Sequence, residues 1–135
     1  MYRITQQQMS LYDYIPPTQG VLDPANRWVR LADAMDWDGF ERTYSEKFDT
    51  RGKAALPARI ALGALVIQKV YGCSDRETVE LVRENPYLRY FLGLRLPMET
   101  PPFSARSMPR FRARIPAKTV QAAVRDLRTM EQPQD

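Results

Sequence analysis

The stretch AALPARIALGALVIQKVYGCSDRETVELVRENPYLRYFLGL, Ala54 to Leu94, decides the fold. From Ile60 to Ile67 it carries no charge, and its apolar residues fall on every side of a helical wheel. A helix of that kind is buried around most of its circumference. Pro57 stands where a first helical turn tolerates proline, because the N–H it lacks is unpaired there in any helix. Gly72 after Tyr71 suits a left-handed C-terminal cap. Ser74, with Glu77 following three residues later, spells the capping box of a second helix. Two helices joined by a three-residue turn containing glycine make a helix–turn–helix-like unit. Asn85-Pro86 ends the second helix and starts a third, with Tyr87, Leu88, Tyr90, Phe91 and Leu92 as its packing face and Gly93 as its stop.

Upstream, residues 1–22 read as an extended N-terminal arm whose Tyr12, Tyr14 and Ile15 lie on the core. Asp23-Pro24 predicts an N-cap and first helical residue, and Trp28, Leu31, Ala32 and Met35 recur at helical spacing behind it. Asp36 caps a further helix that sets Trp37, Phe40 and Tyr44 on one face, so both tryptophans are core anchors. Phe48 to Lys53 is a loop, without the second glycine and Gly-Lys-Ser/Thr ending that a phosphate-binding loop needs.

Downstream, Pro97 to Pro102 connects to PFSARSMPRFRARI, residues 102–115. Proline costs about 3 kcal/mol inside a helix and little in its first turn. A helix with Ser107 as N-cap and Pro109 as second residue follows. Phe111 and Ile115 then point one way, while Arg110 and Arg114 share a different face. Pro116 restarts a last helix, in which Val120, Ala123, Val124, Leu127 and Met130 form a stripe that closes the core or makes a self-association seam. No alternating apolar run or hairpin dipeptide signals a strand. The expected fold is all-α: a compact bundle of six to seven short helices containing the helix–turn–helix-like unit, with residues 23–131 as one helical domain and 132–135 as a frayed tail.

Charge is distributed unevenly. Residues 1–50 carry five basic and eight acidic side chains, a net −3, and residues 51–135 carry fifteen and eight, a net +7. Arg106, Arg110, Arg112, Arg114, Lys118, Arg125 and Arg128 face Asp126 alone between Phe103 and Arg128. Such asymmetry points to an anionic partner, most commonly nucleic acid. A short helix anchored by Phe111 can present guanidinium groups to phosphates or guanine edges. Solvated arginines, or pairing with the acidic first part, are the alternatives.

The chemistry that is missing narrows the function. One Cys and no His exclude a disulfide framework and a Cys/His zinc site, and Cys73 reads as a small residue in a turn. The usual nucleophile–base arrangements are unavailable. Asp33, Asp36, Asp38 and Glu41 are better explained as helix caps and dipole partners than as metal ligands. No catalytic residue, metal or cofactor is expected. No apolar run reaches the roughly 18–20 residues of a membrane span, and MYRITQQQ has no secretory apolar core. A cytoplasmic binding module is the expectation.

Several blocks then carry a resemblance: NRWVRLADAMDWDGFERTYSEKF (26–48), RGKAALPARIALGALVIQKVYGCSDRETVELVRENPYLRYFLGL (51–94), the opening MYRITQQQMSLYDYIPP with LDPANRWVRLAD, and PF…RFRARI. Together, over roughly Met1 to Ile115, the chain resembles the N-terminal domain of bacterial insertion-sequence transposases of the InsH-like type. It departs from that pattern at Ser104–Ser107, where relatives start a helix with an Asp-Pro-Ser-Leu-like sequence, and at Pro109, where they carry Thr, Ser or Val. Phe111, Arg112 and Arg114 match. The resemblance implies a helical domain that binds double-stranded DNA at the terminal inverted repeats, nucleoid-associated when bound. In relatives it precedes an RNase H-like domain with a DDE triad and divalent metal, a domain expected to be absent from this chain, which would then be an excised domain, a truncated element or the first frame of a split transposase. The DNA-contact candidates are Arg106, Arg110, Arg112, Arg114 and Lys118, with Lys69, Arg76 and Arg83 around the central turn. Two other readings stay open: an interaction module that pairs with itself or with a separately encoded catalytic subunit, and a stand-alone helix–turn–helix regulator. Helix 75–84 sets Asp75, Glu77, Glu80 and Glu84 against Arg76 and Arg83, a poor match for phosphate, so Ala54–Leu94 reads as scaffold first.

Overall fold

Helix α3 (Ala58–Tyr71) lies at the centre of the chain in space as well as in sequence: every residue from Ala58 to Ile67 is buried. It packs against α2 (Trp37–Ser45), α4 (Asp75–Glu84), α5 (Pro86–Leu92), α6 (Met108–Arg114) and α7 (Ala117–Glu131), while α1 (Arg27–Ala34) covers α5 and α7. The computed structural model describes residues 22–45, 58–94 and 103–131. Among them there are seven α-helices, one 3-10 turn at Ala105–Ser107 and no strand. The arm over residues 1–21, the Phe48–Lys53 loop, Pro57, the Pro97–Pro102 connection and the tail 132–135 lie outside the described residues.

A helix buried on all sides needs neighbours that come close, and Gly63 permits one approach. A Cβ at Gly63 would stand 2.2 Å from Leu92 Cδ2 and 3.4 Å from Phe91 Cε2, so α5 occupies the space a side chain would take. Phe91 in turn meets the rings of Trp28 and Trp37 edge-on. Both tryptophans are core anchors, as their helical spacing requires. Val120, Ala123, Val124 and Leu127 of α7 are buried within the chain itself, so that stripe closes the core. No helix among the described residues is long and apolar enough to cross a membrane.

The capping signals are realised locally. Ser74 Oγ accepts from Glu77 N–H at 3.1 Å, and Glu77 Oε1 accepts from Ser74 N–H at 2.9 Å, a complete capping box. Gly72 and Gly93 have φ of +60° and +80°, the left-handed turns that end α3 and α5. Asn85 closes α4 and caps α5 ahead of Pro86. Asp36 accepts from Gly39 N–H, and Glu41 Oε2 accepts from Ala58 N–H at 2.8 Å, capping α3 from a neighbouring helix.

Two helix starts differ from expectation. Helix α1 begins three residues after Pro24, at Arg27, with Asn26 as N-cap. Asp23 O accepts from Asn26 N–H at 3.1 Å, so Asp23-Pro24 forms a turn first; Asp followed by Pro suits a type I turn as well as it suits a cap. Ser107 precedes α6 but its side chain caps nothing, because it already has helical backbone angles inside the 3-10 turn. Pro109 does sit in the first turn.

Candidate nucleic-acid interface

Helix α6 has seven residues, too few to persist without tertiary contacts. Met108, Phe111 and Ile115 hold it, all buried, with Phe111 edge-on to Phe103 at 5.7 Å between ring centroids. At about 100° per residue, Arg110 and Arg114 come out about 40° apart on the side away from these anchors, and both are exposed. Burial pushes the pKa of the Tyr44 hydroxyl up, and the nearby Arg114 guanidinium offsets part of that rise.

Arg112 points elsewhere. It makes a two-pronged contact with the first residue of α4, donating to Asp75 Oδ1 at 2.7 Å and to Oδ2 at 3.1 Å. It also donates to Gln68 Oε1 at 3.1 Å, and Gln68 Nε2 donates to Asp75 Oδ1 at 2.7 Å. The Arg112 hydrogen bond, seconded by Gln68, holds the Asp75 carboxyl below its usual range. Arg112 thereby ties α6 to the turn between α3 and α4. Side-chain exposures of 45% for Arg112 and 29% for Asp75 leave the pair open to solvent screening, so it is worth about 0.2–1 kcal/mol. Because the folded-state pKa of Asp75 is depressed, that stability is present above the unfolded carboxylate pKa and is lost as pH falls through the folded one. In a double-mutant cycle of Asp75→Asn and Arg112→Gln, urea unfolding should give a coupling of up to about 1 kcal/mol at neutral pH. The coupling should vanish in acid; one that survives there would contradict the assignment.

The pairing also changes the electrostatic view of α4. Asp75 is answered by Arg112, Glu77 by the Ser74 N–H, and Glu80 by Arg83 at 3.7 Å. Three of the four acids on this helix have a partner within the chain, two of them a cation. Arg76 stands exposed on α4, and Arg106 stands exposed in the 3-10 turn that packs against it. Lys69 and Arg112 border a cavity of about 430 Å³ floored by Leu65, Ile115 and Val120, which Gln121 of α7 also lines. Lys118 is exposed one residue into α7. The structure thus gathers Lys69, Arg112 and the start of α7 around one cavity, while Arg110 and Arg114 share the outward face of α6.

Lys69, Arg76, Arg106, Arg110, Lys118, Arg125 and Arg128 have no ion-pair partner among the described residues. Arg125 and Arg128 belong to the basic excess but not to the contact candidates; they follow Lys118 by seven and ten residues.

A family model described as "Transposase domain (DUF772)" matches residues 12–114, most of the chain. No curated protein and no solved structure matches it.

Proposed function

Because the chain belongs to this transposase-domain family, we propose that it is a DNA-binding domain that recognises the terminal inverted repeats of an insertion sequence during transposition. The domain holds the end of the element and leaves strand chemistry to a DDE catalytic domain not contained in these residues. The observation that carries the reading is the outward face of α6 and its surroundings. Arg110 is exposed there on a helix whose other side is locked into the core by Phe111. Arg106 of the 3-10 turn before it and Lys118 of α7 after it are exposed as well, and none of the three has an ion-pair partner among the described residues. Charges held on a rigid element and left unmatched by the fold are what a phosphate backbone requires. Arg110 is the favoured base reader, because an arginine projecting from an anchored helix can donate two hydrogen bonds to guanine.

Fluorescence anisotropy with a duplex of the terminal repeat and a scrambled duplex of equal length, at several salt concentrations, tests the reading. Affinity for the repeat should exceed that for the scrambled duplex, and both should fall linearly on a log–log salt plot. Arg110→Ala should cost about 1–3 kcal/mol on the repeat and much less on the scrambled duplex. Equal affinity of the unmodified chain for the two duplexes would sink the recognition claim.

A further inference from the structure

We propose that one face of α7, carrying Lys118, Arg125 and Arg128, is the phosphate track of the domain. It grips the DNA backbone irrespective of sequence, while the outer face of α6 reads bases. The assignment rests on the DNA-binding reading above and extends it to a helix that begins at Ala117, beyond the residues 12–114 that the family model matches.

Helix phase places the three cations on one flank of α7. The buried residues Val120, Ala123, Val124 and Leu127 define the inner side of α7. At about 100° per residue, Arg128, Gln121, Arg125 and Lys118 then fall within an arc of about 80° on one flank, and all four are exposed. Asp126, the one acid among residues 117–130, falls on the opposite flank. Gln121 fixes the direction of the basic flank, because it lines the cavity bordered by Lys69 and Arg112. The track therefore runs along α7 beside the cation Lys69 at the end of α3. From residue 118 to residue 128 a helix rises about 15 Å, long enough for three separate phosphate contacts on a straight element.

The chemistry of this face selects its partner. A helix that binds a lipid surface needs an exposed apolar side to insert, and the large apolar residues of α7 are turned into the core. Protein interfaces draw their energy from buried aromatic and aliphatic anchors, and this arc holds only Lys, Arg and Gln. Phosphate contacts need cations and little else. None of Lys118, Arg125 and Arg128 has an ion-pair partner among the described residues, so binding breaks no pair that the fold relies on.

The test uses the full chain and a labelled mixed-sequence duplex, with the slope of log affinity against log salt as readout. The triple variant Lys118→Ala/Arg125→Ala/Arg128→Ala should keep its helical circular dichroism and lose roughly 3 from the slope, at about 0.9 per lost contact. Its losses on terminal-repeat and mixed duplexes should be equal. The charge-keeping variant Lys118→Arg/Arg125→Lys/Arg128→Lys should retain the slope, since a point charge suffices for a phosphate. An unchanged slope in the alanine variant, while the unmodified chain binds duplex, would overturn the track and leave the DNA reading standing. Loss confined to the terminal repeat would overturn its indifference to sequence. An unmodified chain that binds polyglutamate but no duplex would overturn both, in favour of an acidic protein partner.

Discussion

Phe91→Ala is expected to destabilise the chain by about 3–5 kcal/mol, a large part of the roughly 5–15 kcal/mol that holds a domain folded. The side chain is wholly buried. Its ring meets Trp28 at 4.9 Å and 60° and Trp37 at 5.4 Å and 70° between centroids and planes. Each edge-on aromatic pair adds about 0.5–1.5 kcal/mol beyond the area it buries, and truncation removes both. The ring also lies beside Leu92 over Gly63, 3.4 Å from where a Cβ would stand, so its loss opens a cavity between α3 and α5 rather than at the surface. Trp28 sits on α1 and Trp37 on α2, which makes Phe91 the joint between those helices and α5. Phe91→Leu keeps more of the volume and should cost less. Urea unfolding followed by tryptophan fluorescence reports directly on the two rings; an alanine variant within about 1 kcal/mol of the unmodified chain would refute this joint.

The fold was legible where local chemistry admits one reading. A charge-free run from Ile60 to Ile67 has to be buried on all sides, and it is. Ser74-x-x-Glu77 has one good use of its side chains, and Asn85-Pro86 allows one helix to end and another to begin. Legibility failed where a signal has two uses of similar worth. Asp23-Pro24 serves a turn as readily as a cap, and the hydrogen bond from Asn26 N–H decided it. Ser107 would cap α6 only with an extended backbone, and the preceding 3-10 turn denies it one.

The candidate site was harder to read because an arginine's role depends on what it reaches after folding. Counting charge treats all arginines alike; the fold divides them. Arg30 donates to Met130 O near the end of α7, and Arg89 donates to Val82 O and Arg83 O at the end of α4. Carbonyls at a helix C-terminus have no partner within the helix and carry a partial negative charge, so a guanidinium satisfies both needs. Arg112 is engaged differently, by the Asp75 carboxylate at the start of α4. The remaining exposed cations, Arg106, Arg110, Lys118, Arg125 and Arg128 above all, have no ion-pair partner among the described residues. Arg89 of the structural group stands between Leu88 and Tyr90 in a largely apolar block, and the fold leaves it 5% exposed. Burial lowers the pKa of Arg89 accordingly.

Arg59 is the strongest member of the structural group, and Arg59→Ala is the second large loss expected. It is 4% exposed at the start of α3. Its Nε donates to Phe91 O at 2.8 Å and a terminal nitrogen donates to Tyr90 O at 2.9 Å, both at the C-terminal end of α5. Its guanidinium carbon lies 4.6 Å from the centroid of the Trp37 ring. Hydrogen bonds from a charged donor are worth about 1.5–3 kcal/mol each, and a desolvated cation over an aromatic ring about 2. These overlap, and the likeness to breaking a buried ionic contact puts the loss at about 3–5 kcal/mol. Tyr90 O keeps the Gly93 N–H when the arginine goes, so the Phe91 carbonyl suffers most. Arg59→Met separates volume from hydrogen bonding: it refills the space and leaves Phe91 O without the guanidinium, so its stability in urea should fall between the other two. Met and Ala variants of equal stability would show that hydrogen bonding, and not volume, sets the loss. A Met variant as stable as the unmodified chain would show that the guanidinium contributes nothing. Because Arg59 is buried away from solvent, the folded Met variant should leave the salt slope of the proposed DNA binding unaltered, whereas loss of a phosphate-contacting arginine would lower it.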